Sequence, residues 1–235
     1  MAISISVADL ASINTFDDLV GIIPEYLDGR VGADQAPSFI RLAEGEINRR
    51  LALDPVRKQI ARQPVTLNAE YLALPDLFLK EIALEIVDGN QRRYVSYVDP
   101  VSFGPSNPRE RWCSPPSAAP RCPRIYTVLD DEIRLYPVPQ TSHDASFIYY
   151  QRLPALTSSN QSNWFLDDNA DVYLYGALAH ANAFLPDQDK ANYWGGLFDQ
   201  RLSAVLEAYP RSPSMVALTV DSGLMTPCDE WSRWW

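Results

Sequence analysis

The chain has 235 residues, of which 46% are hydrophobic and 11% aromatic, as expected for a folded globular protein and not for a disordered one. No apolar run reaches the length of about 18 residues that a membrane helix requires. Residues 1–9 lack the pattern of a secretory signal, so we expect folding in a cytoplasm. The net charge of −10 excludes the usual basic nucleic-acid-binding protein, although an acidic wall lets DNA slide past.

Sequence motifs give no support for a metal centre, a cofactor or an active site. The cysteines Cys113, Cys122 and Cys228 are odd in number and lack the paired spacing of zinc ligands. Adjacent aspartates occur at 17–18, 130–131 and 167–168, where a cap or a turn is predicted. His180 lies among alanines, which is typical of a packed histidine. We therefore predict no catalytic residue, no metal ligand and no cofactor.

The first predicted element is a helix that begins after Thr15 and follows an N-terminal arm, residues 1–13. Thr15 and Asp18 have the spacing of a capping box. Gly29 is predicted to end the helix, and Pro24 to bend or break it. Its apolar face consists of Leu19, Ile22, Ile23, Tyr26 and Leu27.

A second helix is predicted with Asp34 or Ser38 as its cap and Pro37 in its first turn. Its predicted apolar face is Ile40, Ala43, Ile47 and Leu51, and its predicted solvent face is Arg41, Glu44, Arg49 and Arg50. The two adjacent arginines have two interpretations, a basic contact patch or a solvated helix end. We favour the second, because cations are stabilised near a helix C-terminus.

From residue 59 to residue 152 the apolar period changes to two, which predicts strands. Segments 77–87 and 92–98 also allow a helix, because they contain helix-forming residues. Turns are predicted at Asp88-Gly89 and at Asp130-Asp131. The predicted strands are 60–67, 71–76, 77–87, 92–98, 125–129, 132–136 and 145–152.

A long loop is predicted at residues 99–124, which hold much of the chain's proline. The loop also carries a local excess of positive charge and one tryptophan: Arg109, Arg111, Trp112, Arg121 and Arg124. Loops of this length are often functional. A protruding partner-binding loop and a solvated excursion therefore both remain open.

Residues 160–186 are predicted to form an anchored loop, a tightly packed helix and an abrupt turn. Asp167 and Asp168 are the predicted N-caps, and Pro186 is the predicted stop. The small residues of the helix should allow a neighbouring helix to come close. Its predicted apolar face is Val172, Tyr175, Gly176, Ala179 and Ala183.

A long helix is predicted from Asp187 to about Ala208. Gly195-Gly196 lies in its middle and destabilises a helix, so we expect a kink or a close helix crossing there. The predicted apolar side is Tyr193, Leu197, Leu202, Val205 and Leu206.

The C-terminal tail, residues 211–235, resembles a linker in its first part and ends in an aromatic cluster. Trp231, Arg233, Trp234 and Trp235 are the candidate interface residues of this cluster. Buried tryptophan and arginine dominate interface energetics, so we favour an anchor into another subunit over a tail that folds back.

Seven short sequence motifs occur in a fixed order along the chain, at residues 39–51, 71–76, 125–127, 135–139, 149–156, 163–166 and 173–178. Their order and spacing resemble the head–tail adaptor proteins of short-tailed bacteriophages, the tail tubular protein A group. The resemblance covers about residues 14–209 and leaves out the arm and the tail.

The resemblance implies a structural virion protein without enzymatic activity, made in the host cytoplasm and located at the head–tail junction. Such adaptors form a ring, usually of twelve copies, between the portal protein and the tail nozzle protein. Double-stranded DNA passes through the channel of the ring, and no membrane is involved. The tail would then dock on the portal, and the loop with Arg109, Arg111, Trp112 and Arg121 would meet the nozzle or an adjacent subunit.

We expect an α+β fold in which the N- and C-terminal helices form a bundle and a β-rich lobe is inserted between them. The expected parts are residues 1–58, 59–152, 153–210 and 211–235. Two other functions remain open at this stage. One is a receptor- or carbohydrate-binding tail component, and the other is a hydrolase whose carboxylates pair only in the folded chain.

Overall fold

The computed structural model describes residues 13–88, 91–103 and 122–210. Within these ranges the protein has five α-helices and one seven-stranded sheet, so the predicted α+β class is confirmed. The chain divides into two compact units. The helices lie before Ile60 and after Gln151, and the strands lie between. No helix of the described ranges is long and apolar enough to cross a membrane.

The helices of the helical unit pack around one central helix, Ala170–Phe184. The unit's helices are α1 (Phe16–Tyr26), α2 (Ala36–Leu53), α3 (Trp164–Asp168), α4 (Ala170–Phe184) and α5 (Gln188–Ala208). Both α2 and α5 pack against α4, and α1 packs against α2 and α4. The core includes Leu19, Ile23, Ile40, Ile47, Leu51, Phe165, Tyr173, Leu178, Trp194 and Phe198. Removing this apolar surface from water is the main stabilising contribution in the unit.

Helix α1 begins as the sequence predicts. The Thr15 side chain accepts a hydrogen bond from the Asp18 N–H, and the Asp18 carboxylate accepts from the Thr15 N–H. These hydrogen bonds hold the pKa of Asp18 below its usual range. The predicted break at Pro24 is wrong, because Pro24 lies near the end of α1 and the helix continues to Tyr26. Gly29 follows with a positive φ of 69°.

Helix α2 has a different start from the predicted one, and its buried face includes one residue that was predicted to face solvent. Gln35 is the N-cap residue and makes no side-chain cap bond, so neither Asp34 nor Ser38 caps the helix. Pro37 lies in the first turn, as predicted, where a missing N–H has no consequence. The four predicted apolar positions are buried. Glu44 is buried with them, and its prediction as a solvent-facing residue is wrong.

The predicted caps before α4 are also wrong. Asn163, not an aspartate, caps the short helix α3, and α4 follows Asn169 without a side-chain cap bond. Asp168 instead contacts Lys58 and the Tyr209 hydroxyl. Asp187 caps α5 as predicted, accepting a hydrogen bond from the Lys190 N–H.

The predicted apolar side of α5 is confirmed except at Tyr193. Leu202 is buried, and Leu197, Val205 and Leu206 pack against the core, whereas Tyr193 is 59% exposed. Trp194 and Phe198, which the prediction did not include, are buried as well. Adjacent aromatic residues allow two apolar faces, and packing selects the one on which Trp194 stacks against Tyr175. The helix is continuous through Gly195-Gly196, and a Cβ at either glycine would meet nothing within 4 Å, so no other described part of the same chain crosses α5 closely there. On α4, Ala183 is exposed although it was predicted on the apolar face.

The second unit is the sheet. Its strands are β1 (Ile60–Leu67), β2 (Tyr71–Ala73), β3 (Phe78–Asp88), β4 (Gln91–Tyr97), β5 (Ile125–Leu129), β6 (Glu132–Tyr136) and β7 (His143–Gln151). The two segments that also allowed a helix are therefore strands β3 and β4. The strand order is β1-β7-β3-β4-β5-β6-β2, and every pairing is antiparallel except β4 with β5. The hairpin around Asp130-Asp131 is confirmed, with Asp130 at a φ of 51°.

Candidate functional site

The residues that the sequence singled out for partner binding lie outside the described residues. This holds for Trp231, Arg233, Trp234 and Trp235 of the tail and for Arg109, Arg111, Trp112 and Arg121 of the loop. The arm up to residue 12 and Gly89 of one predicted turn lie outside them as well. These interface assignments therefore stay predictions.

The described residues on either side of the loop are held against the sheet unit. Phe103 precedes the loop, and its ring packs against Tyr136 with centroids 6.3 Å apart. The Arg134 guanidinium lies 5.3 Å from the Phe103 ring and donates to Glu70 Oε1 at 2.9 Å. On the other side, Arg93 Nη2 lies 2.7 Å from Cys122 Sγ. Phe103 and Cys122, the described residues that flank segment 104–121, thus each contact strand residues.

In the helical unit, buried polar groups hold the segment that returns from the sheet, residues 152–163. Leu153 N donates to Asn48 Oδ1 at 2.9 Å, and Leu156 N donates to Glu44 Oε1 at 3.1 Å. Gln161 joins the segment to α1, because its backbone carbonyl accepts from Phe16 N at 2.7 Å. An irregular segment is fixed in this way because buried backbone donors need partners.

Glu44, Tyr173 and Asn163 form a continuous buried network. The Tyr173 hydroxyl donates to Glu44 Oε1 at 3.1 Å and accepts from Asn163 Nδ2 at 3.0 Å. Asn163 Nδ2 also donates to the Pro154 carbonyl at 3.0 Å. Helix α2, helix α4 and the return segment therefore meet at three side chains, each of which bonds another.

Burial determines the protonation of this network. Desolvation raises the pKa of Glu44 to about 7, and the hydrogen bonds from Leu156 and Tyr173 oppose the rise only in part. Burial, and then the nearby Glu44 carboxyl, also raises the pKa of Tyr173 far above its usual range. Glu44 thus titrates near neutral pH, whereas Tyr173 remains a hydrogen-bond donor.

Asn163 contributes twice, because its Oδ1 also caps α3 by accepting from Phe165 N at 3.2 Å and Leu166 N at 2.9 Å. We expect Asn163→Ala to lower the free energy of unfolding by about 1–2 kcal/mol or more, as loss of an N-cap does. The exposed Ser158, in the same segment, provides the control Ser158→Ala, whose expected change is within about 0.5 kcal/mol. Chemical denaturation of both variants tests this, and equal losses would contradict a special role for Asn163.

A second cluster lies where the described chain ends. Asp168 accepts from Lys58 Nζ and from the Tyr209 hydroxyl, the latter at 2.8 Å. Lys58 Nζ also lies 5.8 Å from the centroid of the Trp164 ring and 5.4 Å from that of Tyr209. The Lys58 contact is the main reason that the pKa of Asp168 is low, whereas burial and then Asp168 raise the pKa of Tyr209 to about 12. Arg57 N donates to the Pro210 carbonyl, so the last described residue is held beside this cluster.

The sheet unit has its own buried carboxylate, Glu85 on β3. Glu85 Oε2 accepts from Arg62 Nη2 at 2.9 Å and from Arg92 Nη1 at 3.3 Å. Arg62 Nε in turn donates to Ser146 Oγ at 2.6 Å. The network ties β1, β7, β3 and β4 together across one face.

Glu44 is the important residue that the sequence prediction missed. Its position is four residues after Ile40 and three before Ile47, which is the spacing of a single helix face. The pattern was therefore sufficient to place Glu44 on the apolar face. We assigned it to solvent because glutamate is seldom fully buried.

Among the described residues, no cluster of His, Cys, Asp or Glu could hold a metal ion. The buried carboxylates Glu44 and Glu85 are bonded to groups that join helices or strands. A half-buried His180 lies on α4, and burial lowers its pKa.

The family model described as SU10 adaptor protein matches residues 14–220. Because the match covers most of the chain, the chain belongs to the SU10 adaptor protein family, and the predicted membership in a phage head–tail adaptor family is confirmed. The protein is accordingly a structural adaptor of a bacteriophage particle that interacts with other head or tail proteins. The match continues past residue 209, where we placed the end of the resemblance. A search among curated proteins found no match.

Proposed function

We propose that this protein forms a ring, of twelve copies, between the portal protein and the tail nozzle protein at the head–tail junction. Double-stranded DNA passes through the channel of the ring during genome ejection. The observation that carries the proposal is the adaptor family match over residues 14–220. The net charge of −10 supports it, because an acidic channel repels the phosphate backbone and reduces sticking.

The arrangement that we propose for the subunit corresponds to the order of helices and strands along the chain. The helices before Ile60 and after Gln151 form the bundle, and the sheet is a lobe inserted between them. The bundle packs toward neighbouring copies, and the sheet with the predicted loop, residues 99–124, meets the nozzle or an adjacent subunit. Many modest interfaces closed by symmetry supply the affinity.

We propose that the tail, residues 211–235, docks on the portal through Trp231, Arg233, Trp234 and Trp235. Two observations support a defined exit for it. The Pro210 carbonyl accepts from Arg57 N, and the adjacent Tyr209 is bonded to Asp168 and Asn169. The tail therefore leaves from a fixed point on the helical unit, which reduces the conformational entropy lost when it binds.

The two other functions lack a specific observation in their favour. A hydrolase needs two carboxyl groups that face each other in a cleft. In the described part of the chain, the buried Glu44 and Glu85 belong to different units, and each accepts hydrogen bonds from non-acidic groups. If the protein were a glycan-binding component, the isolated protein should bind carbohydrate. An adaptor should not.

The test is the mass and symmetry of the protein alone and with portal particles, by light scattering and cryo-EM. We expect a twelve-fold ring stacked on the portal. A protein that stays monomeric and ignores the portal would contradict the proposal, and a glycan screen would follow.

Deletion of residues 211–235 should abolish portal binding while leaving the thermal unfolding temperature of the remaining chain unchanged. The matched variant replaces Trp231, Trp234 and Trp235 with alanine in the full chain. A loop variant, with Arg109, Arg111 and Arg121 replaced by alanine, is the control and should keep portal binding. Unchanged portal binding after the deletion would overturn the assignment of the tail.

A further inference from the structure

Helix α2 has an outward face that nothing in the described chain covers. Ser38, Arg41, Leu42, Gly45 and Arg49 line a groove of about 500 Å³ along this face. Leu42 is 53% exposed there, although a leucine at a solvated position has no stabilising role. The face is therefore apolar at its centre and carries arginines at its margins.

Helix α5 has an outward face of the opposite character. Asp189, Tyr193, Gly196 and Gln200 are all exposed and recur at helical spacing, on the side opposite the buried Trp194. Tyr193 is 59% exposed. The face is therefore aromatic at its centre and acidic at one end.

Two glycines on these faces have no close neighbour among the described residues that would require a glycine. A Cβ at Gly45 or at Gly196 would meet nothing within 4 Å. Neither glycine has a positive φ. Glycine destabilises a helix interior relative to alanine, so each position must be otherwise accounted for. A large side chain of another molecule that sits over the glycine would supply that reason.

One antiparallel register of the two helices matches these features. If Tyr193 lies opposite Gly45, then Leu42, three residues earlier in α2, lies opposite Gly196, three residues later in α5. The exposed side chains of Tyr193 and Leu42 would each pack over a glycine of the facing helix, as in knobs-into-holes packing.

The same register also pairs the charges. Arg49, four residues after Gly45, lies opposite Asp189, four residues before Tyr193. Asp189 forms no salt bridge with another described residue, and Arg49 has only an exposed contact with Glu46 at 3.6 Å. At the other end, Ser38 lies opposite Gln200, which is a compatible polar pair.

We propose that α2 of one copy packs antiparallel against α5 of a neighbouring copy, with Tyr193 over Gly45, Leu42 over Gly196, and Arg49 paired with Asp189. The occupant of each face is a second copy of this chain, because the two faces complement each other in shape and charge. Contact between two different faces is head-to-tail, and such a contact closes into a ring when the rotation permits. The inference rests on the proposed ring and names its subunit contact.

Disulfide cross-linking between two variants tests the register. Leu42→Cys and Gly196→Cys are made in separate chains, one with a mass tag, and both are mixed with portal particles and oxidised. The natural cysteines are first replaced by serine in every chain: Cys113, Cys122 and Cys228. A disulfide requires Cα atoms within about 7 Å, so only facing positions link.

The control pairs Leu42→Cys with Ser203→Cys, which lies on the same face of α5 about 10 Å further along the helix. We expect the mixed dimer of the Leu42→Cys and Gly196→Cys chains to exceed the control by at least about tenfold, because neighbouring thiols have a high effective concentration.

A ring that forms without this cross-link, or with equal linkage in the control, would overturn the contact while leaving the ring itself intact. A cross-link from Gly196→Cys to the portal would overturn it too, by assigning the face to another partner. Failure of the cysteine-free protein to form any ring with portal particles would overturn both the contact and the proposed function.

Discussion

Replacing Gly176 with alanine should lower the free energy of unfolding by about 1–3 kcal/mol, the usual effect of overpacking a core. An added Cβ would lie 2.8 Å from Ala43 Cβ and 2.9 Å from Phe198 Cε2. Helices α2 and α5 both approach α4 at this position, so the new methyl group cannot move away from one without meeting the other. Thermal and chemical denaturation measure the loss.

Gly195→Ala is the matched control, because it is the same substitution in a helix of the same unit. A Cβ there meets nothing within 4 Å, so alanine should stabilise the helix by about 0.5–1 kcal/mol. The two variants should therefore shift the unfolding temperature in opposite directions. A stabilised or unchanged Gly176→Ala protein would show that the helices are not in close contact at this point.

The second large effect is a pH dependence of stability that originates at Glu44. Its pKa is raised by burial to about 7 in the folded protein, above the ordinary value of 4.5. Between these values the folded state binds more protons than the unfolded state, so the free energy of unfolding falls as pH rises. Stabilisation by the protonated carboxyl is fully present below about pH 4.5 and lost above about pH 7, a change on the order of 3 kcal/mol.

Glu44→Gln should remove this dependence, because the amide oxygen still accepts from Leu156 N and from the Tyr173 hydroxyl but does not ionise. The difference in unfolding free energy between the variant and the wild type, measured from pH 5 to pH 8, isolates Glu44 from Asp18 and Asp168. The pKa values of those two carboxyls are lowered, so these groups affect stability only at more acidic pH.

Glu25→Gln provides the control, since Glu25 is an exposed glutamate of the helical unit that lies outside the buried network, and it should keep the wild-type profile. Parallel profiles for the wild type and Glu44→Gln would contradict the burial of an ionisable carboxyl. Such an outcome would mean that Glu44 is in contact with water in solution.

These two predictions concern the stiffness of the helical unit, which matters for a ring. Gly176 sets the distance between the helices whose outward faces we propose as the contact between copies. Glu44 fixes the return segment against the same helices. A ring of many copies repeats any error in this geometry at each interface, so a rigid unit favours closure.

Much of the local structure was predictable from the sequence, because its signals act between neighbouring residues. The cap formed by Thr15 and Asp18 requires only a spacing of three residues. The period of two between residues 59 and 152 predicted a strand region, and Asp187 after Pro186 predicted the start of α5. The adaptor family was also predictable from the sequence, since the order and spacing of the short motifs are properties of the sequence itself.

Other features depended on partners that are distant in sequence. Asp168 lies beside predicted cap positions, yet Lys58 and Tyr209 determine its role. The buried side of α5 was ambiguous until Trp194 and Phe198 met Tyr175 and Gly176 of α4. In each case several local solutions were nearly equal in energy, and tertiary packing selected one.

The sequence by itself determined the cap of α1, the strand region, the start of α5 and the adaptor family. Only the tertiary structure decided the strand order, the parallel pairing of β4 with β5 and the burial of Glu44. The physical reason is that capping and periodicity are short-range and are written in adjacent residues. Sheet order and the desolvation of a carboxyl depend on which distant segments come together, and no local pattern encodes that choice.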